Sequence, residues 1–249
     1  MQNFIRTILP LIGLLVLSGS IRAHDSYLYQ PAHRIDNLLR LPAEPCHLQP
    51  GDIMLRLDNS AFWRITHHMA LAFDPNGSGI VVRRSDGRLA LLEAGPNDTL
   101  GIRNMELIPH LKEYEVAGLV WIRRRKEPLT PEQSRALTEF AEAQEGKWFA
   151  LQRLGLQLTP FRTRGPLRTF FIGKPYGSRR ISYFCSELVC EACVAAGLFD
   201  PERTRPSATY PCDLFYGRSL NPFIDKNLDI NAGWYPPARW MSWQVGAGR

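Results

Sequence analysis

Residues 80–84 and 89–93 are short apolar runs joined across Asp86-Gly87, and this pairing limits the fold more than any other feature of the chain. Asp-Gly readily takes the left-handed backbone of a tight hairpin turn, so the two runs must lie antiparallel. A wholly parallel sheet is thereby excluded for this part of the chain. Residues 68–73 extend the pattern, with His67, Met69, Leu71 and Phe73 alternating with His68, Ala70 and Ala72. That alternation predicts a strand that joins 80–84 and 89–93 in an antiparallel meander. Asp74-Pro75-Asn76-Gly77-Ser78-Gly79 reads as the turn between the first two. Residues 52–57 and 116–123 add two more strands.

Beyond Thr130 the period changes. Thr130-Pro131-Glu132-Gln133 supplies an N-cap, a proline at the first helical position and an acidic first turn, predicting a helix that stops at Gly146. A second helix is expected over residues 182–197, ended by Gly197. Residues 147–174 between the helices carry Lys147, Arg153, Arg162, Arg164, Arg168 and Lys174 with no acid, interleaved with aromatic and aliphatic residues. Two readings stay open for this stretch: packing on the core, or a flap or membrane-contact face.

With 249 residues, 45% hydrophobic and 22% charged, the chain is long enough for one globular domain. Residues 1–23 resemble a secretory signal peptide, with Arg6 before an apolar run and small residues after it; an uncleaved anchor is the alternative. Residues 24–50 read as an extended leader, and 51–249 as the folded domain. A secreted or periplasmic location, with an optional N-terminal anchor, is the resulting expectation. The net charge of +6 comes with no nucleic-acid-binding pattern, so nucleic acid is not an expected partner. Five cysteines leave at least one unpaired. Cys190 and Cys193, inside a helix and without a second ligand pair, read as core residues.

The start of a helix favours a thiolate, because unpaired N–H groups and the macrodipole attract negative charge there. Cys185 holds that place, whereas Cys190 and Cys193 lie deeper. A nucleophilic thiol needs an imidazole to take its proton and a group to orient that imidazole. On the expected strand the face with His68, Ala70 and Ala72 is nearly bare, so the Cys185 helix is expected to pack there and meet His68. Glu93 ends a strand of the same sheet and is the candidate orienting acid. The bland readings are a packed His pair and a strand end meeting water.

Gly51-Asp52-Ile53-Met54, His68-Met69-Ala70-Leu71, Leu92-Glu93-Ala94 and Tyr183-Phe184-Cys185-Ser186-Glu187-Leu188-Val189 together resemble the circularly permuted papain-like hydrolases of the NlpC type, the YiiX-like branch in particular. The resemblance spans roughly residues 50–215. It implies a permuted papain-like α+β fold, an antiparallel sheet or half-barrel packed on the helix that bears the nucleophile, with Cys185 as nucleophile, His68 as base and Glu93 as orienting acid. It implies a cysteine hydrolase that cleaves an amide or ester through a thioester, on a cell-envelope peptide or a lipid, with no metal or organic cofactor. A non-catalytic lipid- or peptide-binding module and an acyltransferase are the alternatives. The sequence does not fix the oligomeric state.

Overall fold

The computed structural model describes residues 26–31, 44–70, 72–95, 99–153, 155–224 and 228–243. Its frame is a wholly antiparallel eight-stranded sheet. The strands are β1 (Tyr27–Pro31), β2 (Glu44–Pro45), β3 (Ile53–Asp58), β4 (Gly77–Arg83), β5 (Leu89–Ala94), β6 (Ile102–Glu106) and β7 (Gly118–Arg123). A separate parallel pair, β8 (Trp148–Phe149) and β9 (Ser182–Tyr183), precedes β10 (Ala238–Met241), which rejoins the large sheet. Spatial order is β2-β1-β10-β7-β3-β4-β5-β6. The helices are α1 (Ala61–Met69), α2 (Leu107–Ala117), α3 (Pro131–Gln144), α4 (Cys185–Ala195) and α5 (Pro211–Tyr216). The class is α+β, as expected.

Central strands are apolar on both faces because alternate residues feed two cores. Ile53, Leu55, Ile80, Val82 and Leu92 pack with Leu137 and Phe140 of α3 and Leu188 and Val189 of α4. Met54, Val81, Leu91, Val120 and Ile122 pack with Leu107, Leu111 and Tyr114 of α2 and with Trp240 of β10. The hairpin forms where Asp86-Gly87 requires it, with Gly87 at φ +84° and registers from Ile80↔Leu92 to Arg83↔Leu89. In α3, Thr130 Oγ1 accepts the Gln133 N–H at 3.2 Å, and Gln133 Oε1 accepts the Thr130 N–H at 3.0 Å, a reciprocal cap.

Several expectations are corrected. The described residues of 68–73 form no strand: His67 and His68 lie in the last turn of α1, which begins after Ser60 and is followed by the Ala72 N–H donating to the His67 carbonyl at 2.8 Å. A short mixed run fits either period, and here the helical one prevails. The meander is therefore β4-β5-β6. Gly77-Ser78-Gly79 belongs to β4, not to a turn. The leader supplies β1 and β2, and β1 pairs with β10 from the far end of the chain. All five cysteines are buried and unpaired.

Residues 147–174 run through short turns whose arginines are largely internal: Arg153 reaches Glu187, and Arg164 reaches Asp213 at 2.5 Å. The expected location is also corrected. Residues 1–23 lie outside the described residues, and among the described residues no helix is long and apolar enough to cross a membrane. Nothing in the described chain supports export or an anchor.

Candidate active site

Cys185 is the first residue of α4, and Phe184 before it is extended at φ −78° and ψ 160°. The chain turns into the helix there because Glu187 Oε2 accepts the Phe184 N–H at 3.1 Å. Helix α4 packs on β4 and β5, which sets Cys185 at one end of a cleft of about 720 Å³, open solvent included. Arg56, Glu93, His67 and Tyr210 share its walls, and Ala70, Ala72, Phe149 and Phe184 make it largely apolar.

Two of the three site residues expected from sequence therefore meet. Cys185 and Glu93 line one cleft; His68 does not line it. His68 is exposed, its ring edge-on to Phe73 at 6.4 Å between centroids. The helical turn aims successive residues about 100° apart, so one member of the pair faces the cleft and the other faces away. His67 is the member of the pair that lines the cleft. Ala70 and Ala72 line the cleft with Cys185, but they follow α1 and offer no strand face for α4, which packs on β4 and β5 instead.

Glu93 orients no imidazole of that pair. Its carboxylate is 1% exposed and accepts Arg56 Nε–H at 3.2 Å and the Tyr114 hydroxyl at 2.6 Å. His110 Nε2 stands 3.6 Å away, within ionic reach but beyond a hydrogen bond. Burial alone would raise the Glu93 pKa; the Arg56 charge, with His110 and Tyr114, outweighs it and holds the carboxyl below its usual range. Arg56 also donates to Asp58 at 3.1 Å and lies over the Tyr114 ring at 4.3 Å.

Local sequence explains how Arg56 crosses to Glu93. In the register Arg56↔Gly77 and Gly79↔Glu93, the arginine on β3 and the acid on β5 are separated by β4. On that face β4 presents only glycine near the crossing. A Cβ on Gly77 would lie 2.6 Å from Arg56 Cγ, so the glycine is what admits the side chain.

The thiol itself is raised in pKa. Burial is the main cause; Ser78 opposes it, Glu93 adds to it and Arg56 again opposes it. Ser78 Oγ is buried and falls short of full hydrogen-bond geometry with any partner among the described residues. Burial thus works against the lowering expected from the helix start.

No protein-family model matches the chain, and no curated protein matches it. Solved structures include a similar one. It is the crystal structure of metalloprotein yiiX from Escherichia coli O157:H7, at 15% identity and a TM-score of 0.40, with 75% of this chain and 93% of that chain covered. Among the described residues of the present chain, no group of three or more His, Cys, Asp or Glu is placed to hold a metal ion.

Sequence reasoning missed Arg56, Tyr114 and His110. Arg56 carried a signal, being a charge inside the apolar run of residues 53–57. His110 and Tyr114 stand four apart, on one face of α2, but nothing local ties that face to Glu93.

Proposed function

We infer that the cleft is the active site of a cysteine hydrolase of the permuted papain-like, NlpC-type kind, cleaving an amide or ester bond. The observation that carries this reading is that Cys185 opens α4 within a cleft that also holds His67 and Arg56. In the reaction, the Cys185 sulfur bonds to the substrate carbonyl carbon while His67 takes the thiol proton. Collapse breaks the bond to the amine or alcohol, which leaves with that proton, and a thioester remains. Water then adds to the thioester as His67 takes its proton, and the carboxylic acid departs as the thiol is restored. The Cys185 backbone N–H faces the oxyanion. Arg56 assists, because Nε and Nη1 are committed to carboxylates, while Nη2 has no protein acceptor among the described residues.

The walls formed by Ala70, Ala72, Phe149 and Phe184 favour an apolar acyl group, so a lipid-type amide or ester suits the cleft better than a cell-envelope peptide. A second reading, a binding module that turns nothing over, is favoured by the burial of Cys185, which pushes its thiol up. The test is turnover of p-nitrophenyl esters and acyl anilides of graded chain length. Activity is expected to vanish in Cys185→Ser and to fall about a hundredfold or more in His67→Ala, with His68→Ala close to wild type. Added amine acceptors reveal acyl transfer as a new amide product. Absence of turnover, with alkylation of Cys185 indifferent to His67→Ala, would establish the binding module instead.

A further inference from the structure

Across residues 146–186 the chain has eight Lys and Arg and no Asp or Glu. Three of those arginines gather around Glu187, whose carboxylate is 1% exposed. Arg153 donates to both of its oxygens, at 3.1 and 2.5 Å, and Arg180 donates to Oε1. Both guanidinium groups are also pinned over aromatic rings, Arg153 over Phe184 at 4.6 Å and Arg180 over Tyr176 at 4.0 Å.

Arg168 is the third. It is only 7% exposed, and its Nε has no hydrogen-bond partner among the described residues. After burial itself, the strongest influences on its guanidinium are Arg153 and Arg180, which repel it; Glu187 attracts it less. Glu191, which also feels the Arg180 charge, is occupied by the Tyr176 and Gly177 N–H groups at 2.8 Å each. The turn on which the Arg168 helix packs, Pro206–Ala208, carries a second orphan, the buried Ser207 Oγ.

Arginine does not shed its proton in proteins. A guanidinium whose Nε is buried without a partner, among like charges, is therefore a defect of the bare chain, one that a bound anion repairs. We propose that Arg168, with Arg153 and Arg180, forms a binding site for a phosphate group. Phosphate offers acceptors on several sides to planar donor forks, the geometry that arginine matches best. Phe170 and Phe171, 54% and 78% exposed, follow Arg168 on the same π-helical turn Arg168–Ile172. An amphiphile's headgroup would set its apolar part against them, whereas free phosphate would leave them untouched. The assignment does not depend on what Cys185 does.

The test is calorimetric titration of the full chain with inorganic phosphate and, separately, with a short-chain phosphatidate, in chloride buffer of matched ionic strength. Saturable binding to the wild type is expected, weakened about tenfold or more in Arg168→Met and less in Arg168→Lys. Phosphate should raise the unfolding temperature of the wild type and leave that of Arg168→Met unmoved. Tighter binding of the phosphatidate assigns the site to a headgroup, and equal binding assigns it to free phosphate. Absence of binding to the wild type overturns the proposal whether or not the variants fold. Equal binding by wild type and a folded Arg168→Met overturns it as well.

Discussion

Glu93 and Glu187 are both carboxylates sealed to 1% exposure and both are gripped by arginine, yet their surroundings are balanced in opposite senses. Around Glu93 the acids are in excess: Arg56 serves both Glu93 and Asp58, and the Tyr114 hydroxyl supplies the remaining donor. Around Glu187 the bases are in excess, with Arg153 and Arg180 bound and Arg168 unpartnered at Nε. The first arrangement is closed in that no cation is in surplus, both carboxylates sharing one guanidinium, and it supports the wall of the cleft. The second is open to one more negative group. A buried ion pair is held in place by what its loss would leave behind, so the two sites should respond differently when a member is removed.

The largest effect is expected at the closed site. Glu93→Ala leaves Arg56 with Asp58 alone and strips Tyr114 of its acceptor, a loss of about 3–5 kcal/mol, typical of a broken buried pair, measurable by urea unfolding. The pH dependence has a definite sign. Arg56 holds Glu93 below its usual range, so the unfolded chain binds this proton more readily than the native one. Its contribution is present above the ordinary value of 4.5 and is lost as pH falls through the lower native value. Glu93→Gln should lack that acid limb; an unchanged limb would mean that Arg56 does not hold the carboxylate.

Next in size is Gly77→Ala. The added Cβ would sit 2.6 Å from Arg56 Cγ and 2.8 Å from Nε, forcing the guanidinium off Glu93. Overpacking of this kind costs about 1–3 kcal/mol. If the cleft is catalytic, turnover should fall more steeply than stability, because Cys185 loses the arginine beside it. Equal stability of Gly77→Ala and wild type would show that Arg56 reaches Glu93 by another path.

That glycine also marks the limit of what the sequence discloses. Local signals gave the hairpin at Asp86-Gly87, the N-cap at Thr130 and the helix that bears Cys185, though placed from residue 182 where Ser182 and Tyr183 are strand, since each depends on residues within a few positions of one another. Gly77-Ser78-Gly79 read as a turn because glycine is equally at home in a turn and beneath a crossing side chain; only the register of β3, β4 and β5 separates the two. His67 and His68 differ by one helical step, and the choice between them rested on the period of a run too short to decide it. The links from Glu93 to Arg56 and Tyr114 span 37 and 21 residues, and no local pattern encodes such a meeting.

The smallest effect is expected at the open site, where it separates the two most sharply. Arg180 donates to Glu187 and lies over Tyr176, so counting contacts would make Arg180→Met as harmful as Arg56→Met. Charge balance argues otherwise. Glu187 keeps Arg153 on both of its oxygens, the repulsion on Arg168 falls, and the methionine stem still covers the ring. The net change should stay within about 1 kcal/mol in either direction, because an apolar replacement for a surplus buried charge is often neutral or better. Arg56→Met, by contrast, leaves both Glu93 and Asp58 without that partner and should cost several times as much. Urea unfolding of the two variants side by side decides the matter: equal losses would mean that both carboxylates are balanced alike, and that Arg168 has no deficit of negative charge for an anion to fill.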